Sequence, residues 1–379
     1  MRVLIAPDCF TGTLNAVQAA RAIADGWARA APTDQLVLRP MSDGGPGFVP
    51  VVAAGLGAQL REVEVLGPLG ERVLATFALD GQTAYIEAAQ ACGLQLVPPD
   101  RRDPGRTTTF GVGQLVLAAI AEGATMVVVG LGGSATNDAG AGLLSALGAE
   151  ADRALDSGGR SLARLHSVDI APARAAVAGV TLIAATDVDN PLLGLRGAAR
   201  NYGEQKGASP SECMDLDAAL EHFAGLVGRR PDGKDPAVAL GAGAAGGLGY
   251  ALLQLGGERV PGIRTVMDIL DLPREIADAD LVVTGEGCFD LQSLRGKVVS
   301  GIASIALREA EPCVVLAGQV SVGRRDYTGI GVAAAYSVAS MLGAGDDAAG
   351  LAESMARPAQ ALADAAERVA ATWSRRGSR

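Results

Sequence analysis

Met126-Val127-Val128-Val129-Gly130-Leu131-Gly132-Gly133-Ser134-Ala135-Thr136-Asn137-Asp138-Ala139-Gly140-Ala141-Gly142 is the stretch on which the fold turns. Its first five residues predict a buried strand, its glycines a tight turn, and the Ala-rich run after Asn137-Asp138 the start of a helix. Strand, turn and helix start make one repeat of a parallel sheet covered by helices. Unpaired amides at such a helix start can cradle an anion. The same residues also suit a plain strand-to-helix turn capped by Asn137 or Asp138. The density of Gly, Ser, Thr, Asn and Asp in one place favours phosphate or metal.

Outward from this stretch, β-branched runs recur at residues 3–6, 181–185, 281–284, 313–317 and 332–336, separated by Ala-rich segments with helical spacing. The first three, like 126–130, run straight into a Gly or Asp cluster, and in open α/β sheets ligands sit beyond the carboxyl ends of strands. Residues 61–65, 73–79 and 83–87 read instead as antiparallel strands joined by Gly67-Pro68-Leu69-Gly70 and Asp80-Gly81. They predict a second domain, 65–273, inserted into a first one made of 1–64 and 274–379.

The chain of 379 residues is long enough for two domains. Hydrophobic residues make up 49% but aromatics only 3%, so Ala, Val and Leu must fill the core, as in an α/β enzyme. A net charge of −10 disfavours a nucleic-acid or anionic-membrane surface. The basic tail Ser374-Arg375-Arg376-Gly377-Ser378-Arg379 reads as a solvated end. Five scattered cysteines without a C-x-x-C pair argue against disulfides and zinc, and fit a reducing cytoplasm. Neither a signal-peptide core nor an apolar run of membrane-spanning length is evident.

A second glycine motif, Gly241-Ala242-Gly243-Ala244-Ala245-Gly246, has the form G-x-G-x-x-G. Only Val238-Ala239-Leu240 precedes it and no ribose-binding acid follows at the usual distance, so a dinucleotide reading is poor. Helix packing and a nucleotide-facing helix start both remain open for it. Acidic side chains end several elements: Asp8, Asp43, Asp187, Asp189, Glu286 and Asp290. Alone, each suits a turn; as a set at strand ends they suit magnesium shared with phosphates. Lys206 and Lys297 each stand beside glycine, where an ammonium can reach an anion, although a solvated surface lysine has the same look. Neither a P-loop nor a protein-kinase signature occurs.

Taken in order, Ile5-Ala6-Pro7-Asp8, Pro40-Met41-Ser42-Asp43-Gly44-Gly45, residues 130–142, Asp187-Val188-Asp189-Asn190-Pro191-Leu192, Gln205-Lys206-Gly207-Ala208, residues 241–249 and Thr284-Gly285-Glu286-Gly287 resemble the type I glycerate kinases. The resemblance spans the chain to about residue 320. It implies an α/β protein with a Rossmann-like domain, a second α/β domain inserted in it and an active site in the cleft between them. It further implies ATP and Mg2+, and transfer of phosphate to the 2-hydroxyl of D-glycerate, a small-molecule substrate, giving 2-phosphoglycerate. On that reading Asp189 is the base, and Asp8, Asp43 and Lys206 act beside it. Gly132, Gly133, Ser134, Thr136, Asn137, Gly243 and Lys297 face the nucleotide, and Glu286, Asp290 and Asp138 lie near magnesium.

The chain also departs from the family pattern. Members typically read A-P-D-S-F-K-G-S, A-D-G-G-E-G-T and G-E-G-R-x-D-x-Q-T. Here Cys9 and Thr11 replace Ser and Lys, Pro46 and Phe48 replace Glu and Thr, and Cys288 and Ser293 replace Arg and Thr. Lost cations and polar groups leave two other readings: a kinase for a different hydroxy acid or polyol, and a nucleotide-binding relative with impaired catalysis.

Overall fold

The computed structural model describes residues 1–10, 12–294, 297–343 and 346–374. Thr11, Arg295 and the basic tail after Ser374 lie outside the described residues. Eleven described strands build the two main sheets: β1 (Arg2–Ile5), β2 (Gln35–Leu38), β3 (Gln59–Leu66), β4 (Arg72–Asp80), β5 (Thr83–Glu87), β6 (Met126–Gly130), β7 (Thr181–Ala185), β8 (Glu258–Val260), β9 (Leu281–Thr284), β10 (Cys313–Ala317) and β11 (Val332–Ser337). The fold is mixed α/β with mostly parallel pairings.

The chain divides into two compact units. Unit 1 holds Met1–Asp43, Pro50–Leu56 and Ile263–Arg379, and unit 2 holds Gly44–Val49 and Gly57–Gly262. The boundaries expected after residue 64 and before residue 274 differ from these for physical reasons. β3 pairs with β4 along its whole length, Gln59 opposite Leu79 to Leu66 opposite Arg72, so the hairpin belongs to one unit. Leu270 packs so closely on Gly55 that a Cβ there would come within 1.9 Å of its Cδ2, and a Cβ on Gly301 would lie 2.8 Å from both Ile263 Cδ1 and Met267 Cε, which draws 263–273 into unit 1.

Unit 1 is built on a five-stranded sheet in the order β11-β10-β9-β1-β2, every pairing parallel. β9 and β10 are buried at every position, as their unbroken apolar runs require in a parallel sheet covered on both faces. The helix Ala16–Ala30 starts on a capping box, with the Asn15 side chain accepting from Gln18 N and the Gln18 side chain accepting from Asn15 N. It packs on Pro358–Trp373, where Gly26 leaves room for the backbone of Ala363. The strand order departs from chain order at one place: β1 has β2 on one side and β9 on the other.

Unit 2 carries a six-stranded sheet in the order β8-β7-β6-β5-β4-β3. Its strands run in strict chain order, with β5 to β8 parallel and β3, β4 and β5 an antiparallel meander. The hairpin expected at Asp80-Gly81 forms, one residue later than the signal: Asp80 pairs with Thr83 and the loop is Gly81-Gln82, with Gly81 at φ 55°. Phe77, Ile86, Leu115, Val127, Phe223 and Tyr250 anchor the core beneath this sheet. Two strands escape the sequence reading. Both β2 and β8 are short, and neither ends on a glycine cluster.

Candidate active site

In unit 1, Asp8 and Glu286 emerge side by side at the point where the strand order reverses. β1 and β9 are adjacent and parallel, and the pairing continues beyond them, with Ala6 N donating to Val283 O and Asp8 N to Gly285 O, both at 2.8 Å. The Thr284 hydroxyl ties the two strand ends together by donating to Ala6 O at 2.8 Å. Met41 N donates to Pro7 O at 2.9 Å, which carries the segment Ser42-Asp43 to the same end of the sheet.

Neighbouring carboxylates act on both Asp8 and Glu286. Burial, reinforced by the charges of Asp43 and Glu286, pushes Asp8 up to about 7 against the opposing Cys9 N–H, which donates to Asp8 Oδ1 at 2.7 Å. Glu286 is also pushed up, first by burial and then by Asp290 and Asp43. Its Oε1 is buried without a hydrogen-bond partner. Asp290 is held low by the N–H groups of Gln292 and Ser293, which its Oδ1 accepts at 2.7 and 3.2 Å. That oxygen therefore shapes a turn. Lys297 is exposed, and its charge acts on Glu286 and Asp290.

Among the described residues no three His, Cys, Asp or Glu side chains already converge as a metal site. The chemistry of the set nonetheless fits a hard cation: Asp8 and Glu286 are both pushed up by burial and by neighbouring carboxylates, and Glu286 Oε1 is buried and unpartnered. Asp8, Asp43 and Glu286 are the residues that would hold magnesium, shared with phosphate oxygens. Cys288, which stands where the family has arginine, is exposed with its Sγ 3.8 Å from Ser321 Oγ.

In unit 2, the loop after β6 is held by backbone contact. Gly132 N donates to Gly44 O at 3.1 Å, and a Cβ on Gly132 would lie 2.4 Å from Gly45 Cα. On its far side Ala139 N donates to Gly246 O, and a Cβ on Gly246 would meet Thr136 O at 1.9 Å. A Cβ on Gly243 would meet Pro191 O at 2.3 Å, and Gly243 N donates to Asn190 O, so the second motif serves packing. Of the residues expected to face a nucleotide, Gly133 is exposed and Gly132 half-buried, whereas Ser134, Thr136 and Asn137 are buried. Neither polar atom of the Asn137 side chain has a partner.

Asp138, expected near magnesium, is fully buried and spoken for. Oδ2 accepts from Thr109 N, Thr109 Oγ1 and Gly142 N, and Oδ1 from Gly140 N. Burial raises its affinity for a proton and these four donors oppose the rise. Its four donors make it the lock of this loop. Lys206 is no surface lysine either. Its Nζ lies beneath the loop, donating to Ser134 Oγ at 3.0 Å and Thr136 O at 2.8 Å, and burial pulls its pKa down to about 8. Phe48 is fully buried, edge-on to Tyr85 with ring centroids 6.2 Å apart, so it is core and lines no substrate pocket.

Asp189 is 68% exposed and pairs with Arg259 across 2.6 Å. Arg259 lies on β8, too short a strand to read from sequence. Glu87 is the other residue missed. Buried at the end of β5, it accepts from Gly47 N at 2.9 Å and Val49 N at 3.4 Å, and burial pushes it up to about 7. The strand-end rule that picked out Asp8 applies to Glu87 equally.

The model of the glycerate kinase family matches residues 3–374. The chain belongs to the glycerate kinase family. It is 42% identical over 361 residues to the glycerate 2-kinase of Escherichia coli strain K12, covering 92% of this chain and 93% of that one. It is 40% identical over 353 residues to the glycerate kinase of Halalkalibacterium halodurans, covering 91% and 93%. A crystal structure assigned as glycerate kinase 2 from Salmonella typhimurium LT2 superposes over 100% of both chains with a TM-score of 0.81 at 37% identity. Membership extends to the two-domain α/β architecture, so the departures at Cys9, Pro46, Phe48, Cys288 and Ser293 sit on an otherwise kept family scaffold.

Proposed function

We propose that the protein transfers the γ-phosphoryl group of ATP to the 2-hydroxyl of D-glycerate, giving 2-phosphoglycerate and ADP. The observation that carries this reading is the trio of Asp8, Asp43 and Glu286 at the strand-order reversal of a parallel sheet, where α/β proteins bind their ligands. Like charges held together in a partly buried place cost stability, and a cation that binds them removes the cost. Magnesium there would neutralise the charge that builds up on the phosphate oxygens.

The residues of unit 2 take the remaining roles. The exposed backbone at Gly133 can meet phosphate oxygens, and Lys206 adds positive charge from beneath the loop. Asp189, the exposed carboxylate, accepts the proton of the 2-hydroxyl as that oxygen bonds to the γ-phosphorus and the bond to ADP breaks. Phe48, one of the departures that point to a different acceptor, is buried in the core and does not face one. All five cysteines are free, in keeping with a reducing cytoplasm. No helix among the described residues is long and apolar enough to cross a membrane.

Phosphorus NMR of the purified protein with MgATP and D-glycerate tests the proposal. A new phosphomonoester matching 2-phosphoglycerate, formed in step with ADP, is expected. ATP that stays intact, or a phosphate appearing on the 3-hydroxyl, overturns it.

A further inference from the structure

We infer that Arg259 recognises the carboxylate of the acceptor, and that Asp189 occupies its guanidinium until a small 2-hydroxy acid displaces it. The inference rests on the phosphotransfer reading and names what that reading lacks, the group that selects a hydroxy acid.

Four observations support it. Arg259 sits on the edge strand β8 opposite Ala184 of β7, one residue short of the end of its strand. Its side chain is only 20% exposed and reaches out to Asp189, with Nη2 2.6 Å from Oδ1. Gly241 lies against its stem with φ 81°, and a Cβ there would approach Cδ, Cγ and Nε to 3.0, 3.1 and 3.3 Å, so the first glycine of the second motif makes room for this arginine. Finally, Arg259 Nε is buried with no hydrogen-bond partner.

An unpaired buried donor is costly, and the planar fork of a guanidinium matches both oxygens of one carboxylate. Asp189 meets that fork through Oδ1 while Nε goes unsatisfied. A second carboxylate approaching end-on can take both Nη donors once Asp189, which is exposed enough to do so, swings away. The exchange leaves Asp189 unpaired at the moment a hydroxyl on the adjacent carbon arrives. The hydroxyl proton then passes to Asp189 while the hydroxyl oxygen takes the γ-phosphoryl group and ADP departs with the bridging oxygen. A polyol has no carboxylate with which to make the exchange, so hydroxy acids are selected over polyols at this step.

Isothermal titration of the full-length protein with D-glycerate and with glycerol, in the absence of nucleotide, provides the test. Wild-type protein is expected to bind D-glycerate and not glycerol. Arg259→Gln should weaken D-glycerate at least about 30-fold, as loss of one partner of a buried charge pair does, and Arg259→Lys should retain part of the affinity. Asp189→Asn, which keeps the arginine, should bind D-glycerate more tightly than wild type while losing turnover. In the coupled assay Arg259→Gln should raise KM for D-glycerate and leave KM for ATP within about twofold. Unchanged D-glycerate binding in Arg259→Gln, a rise confined to the KM of ATP, or no gain of affinity in Asp189→Asn overturns the inference. Should wild type bind D-glycerate through Arg259 yet form no phosphoester, the phosphotransfer reading falls and this one stands.

Discussion

The carboxyl ends of the two sheets are built in opposite ways. Unit 1 reverses its strand order beside β1 and places there acids whose charges act on Asp8 and Glu286; unit 2 keeps strict chain order and follows β6 with glycines packed against the backbones of neighbouring loops. The glycines are fixed by packing, since a single carbon at position 132, 243 or 246 would overlap a neighbouring main chain. The acids are fixed by nothing of the kind, because protein stability alone would favour neutral residues there. Conspicuous residues thus divide into those the fold requires and those it tolerates at a cost, and the proposed chemistry belongs to the second class.

The contrast can be broken by substitution. The largest effect expected is from Glu286→Gln, which keeps shape and removes charge: kcat falls on the order of 10²–10³-fold, and more magnesium is needed for half-maximal rate, with the circular dichroism spectrum unchanged. In unit 2, Gly246→Ala should act on the fold, since its Cβ would lie 1.9 Å from Thr136 O at a backbone φ of 68°. Denaturant unfolding should report a loss of roughly 3 kcal/mol or more. A Glu286→Gln enzyme with full activity, or a Gly246→Ala protein of wild-type stability, would erase the distinction between the two regions.

Glu87 sharpens the comparison, for it is an acid used inside unit 2 as a cap. Its pKa rises from 4.5 to about 7 in the fold, so its contribution is fully present below pH 4.5 and is lost as pH climbs through 7. Glu87→Gln should therefore match wild type near pH 4 and exceed it by about 1–2 kcal/mol at pH 8. The smallest effect expected is at Ala245, held at φ 51° in the interlocked loops. Ala245→Gly should gain up to about 1 kcal/mol in the same unfolding experiment.

The architecture was largely legible in the sequence because its strands announce themselves. Buried valine-rich runs such as 126–130 and 281–284 end abruptly on Gly or Asp, and Asp80-Gly81 marks a hairpin to within one residue of its Gly81-Gln82 loop. What stayed hidden depended on long-range contact. Asp138 looks like a ligand until Thr109, distant in sequence, is seen to satisfy it, and Lys206 looks solvated until the loop after β6 closes over it. Arg259 could not be read at all, because a strand of three residues carries no periodicity and its partner Asp189 lies 70 residues earlier.

Asp8→Asn, followed for both turnover and stability, tests the central claim most directly. Asp8 is pushed from 3.8 to about 7, so the wild-type protein loses stability as pH rises through 7, and the neutral variant is spared that loss. The account predicts a variant about 1–3 kcal/mol more stable than wild type at pH 8 and lower in kcat by on the order of 10²-fold or more. A variant that keeps its turnover, or that is destabilised at pH 8, would show that the acids of unit 1 serve the fold and not the reaction.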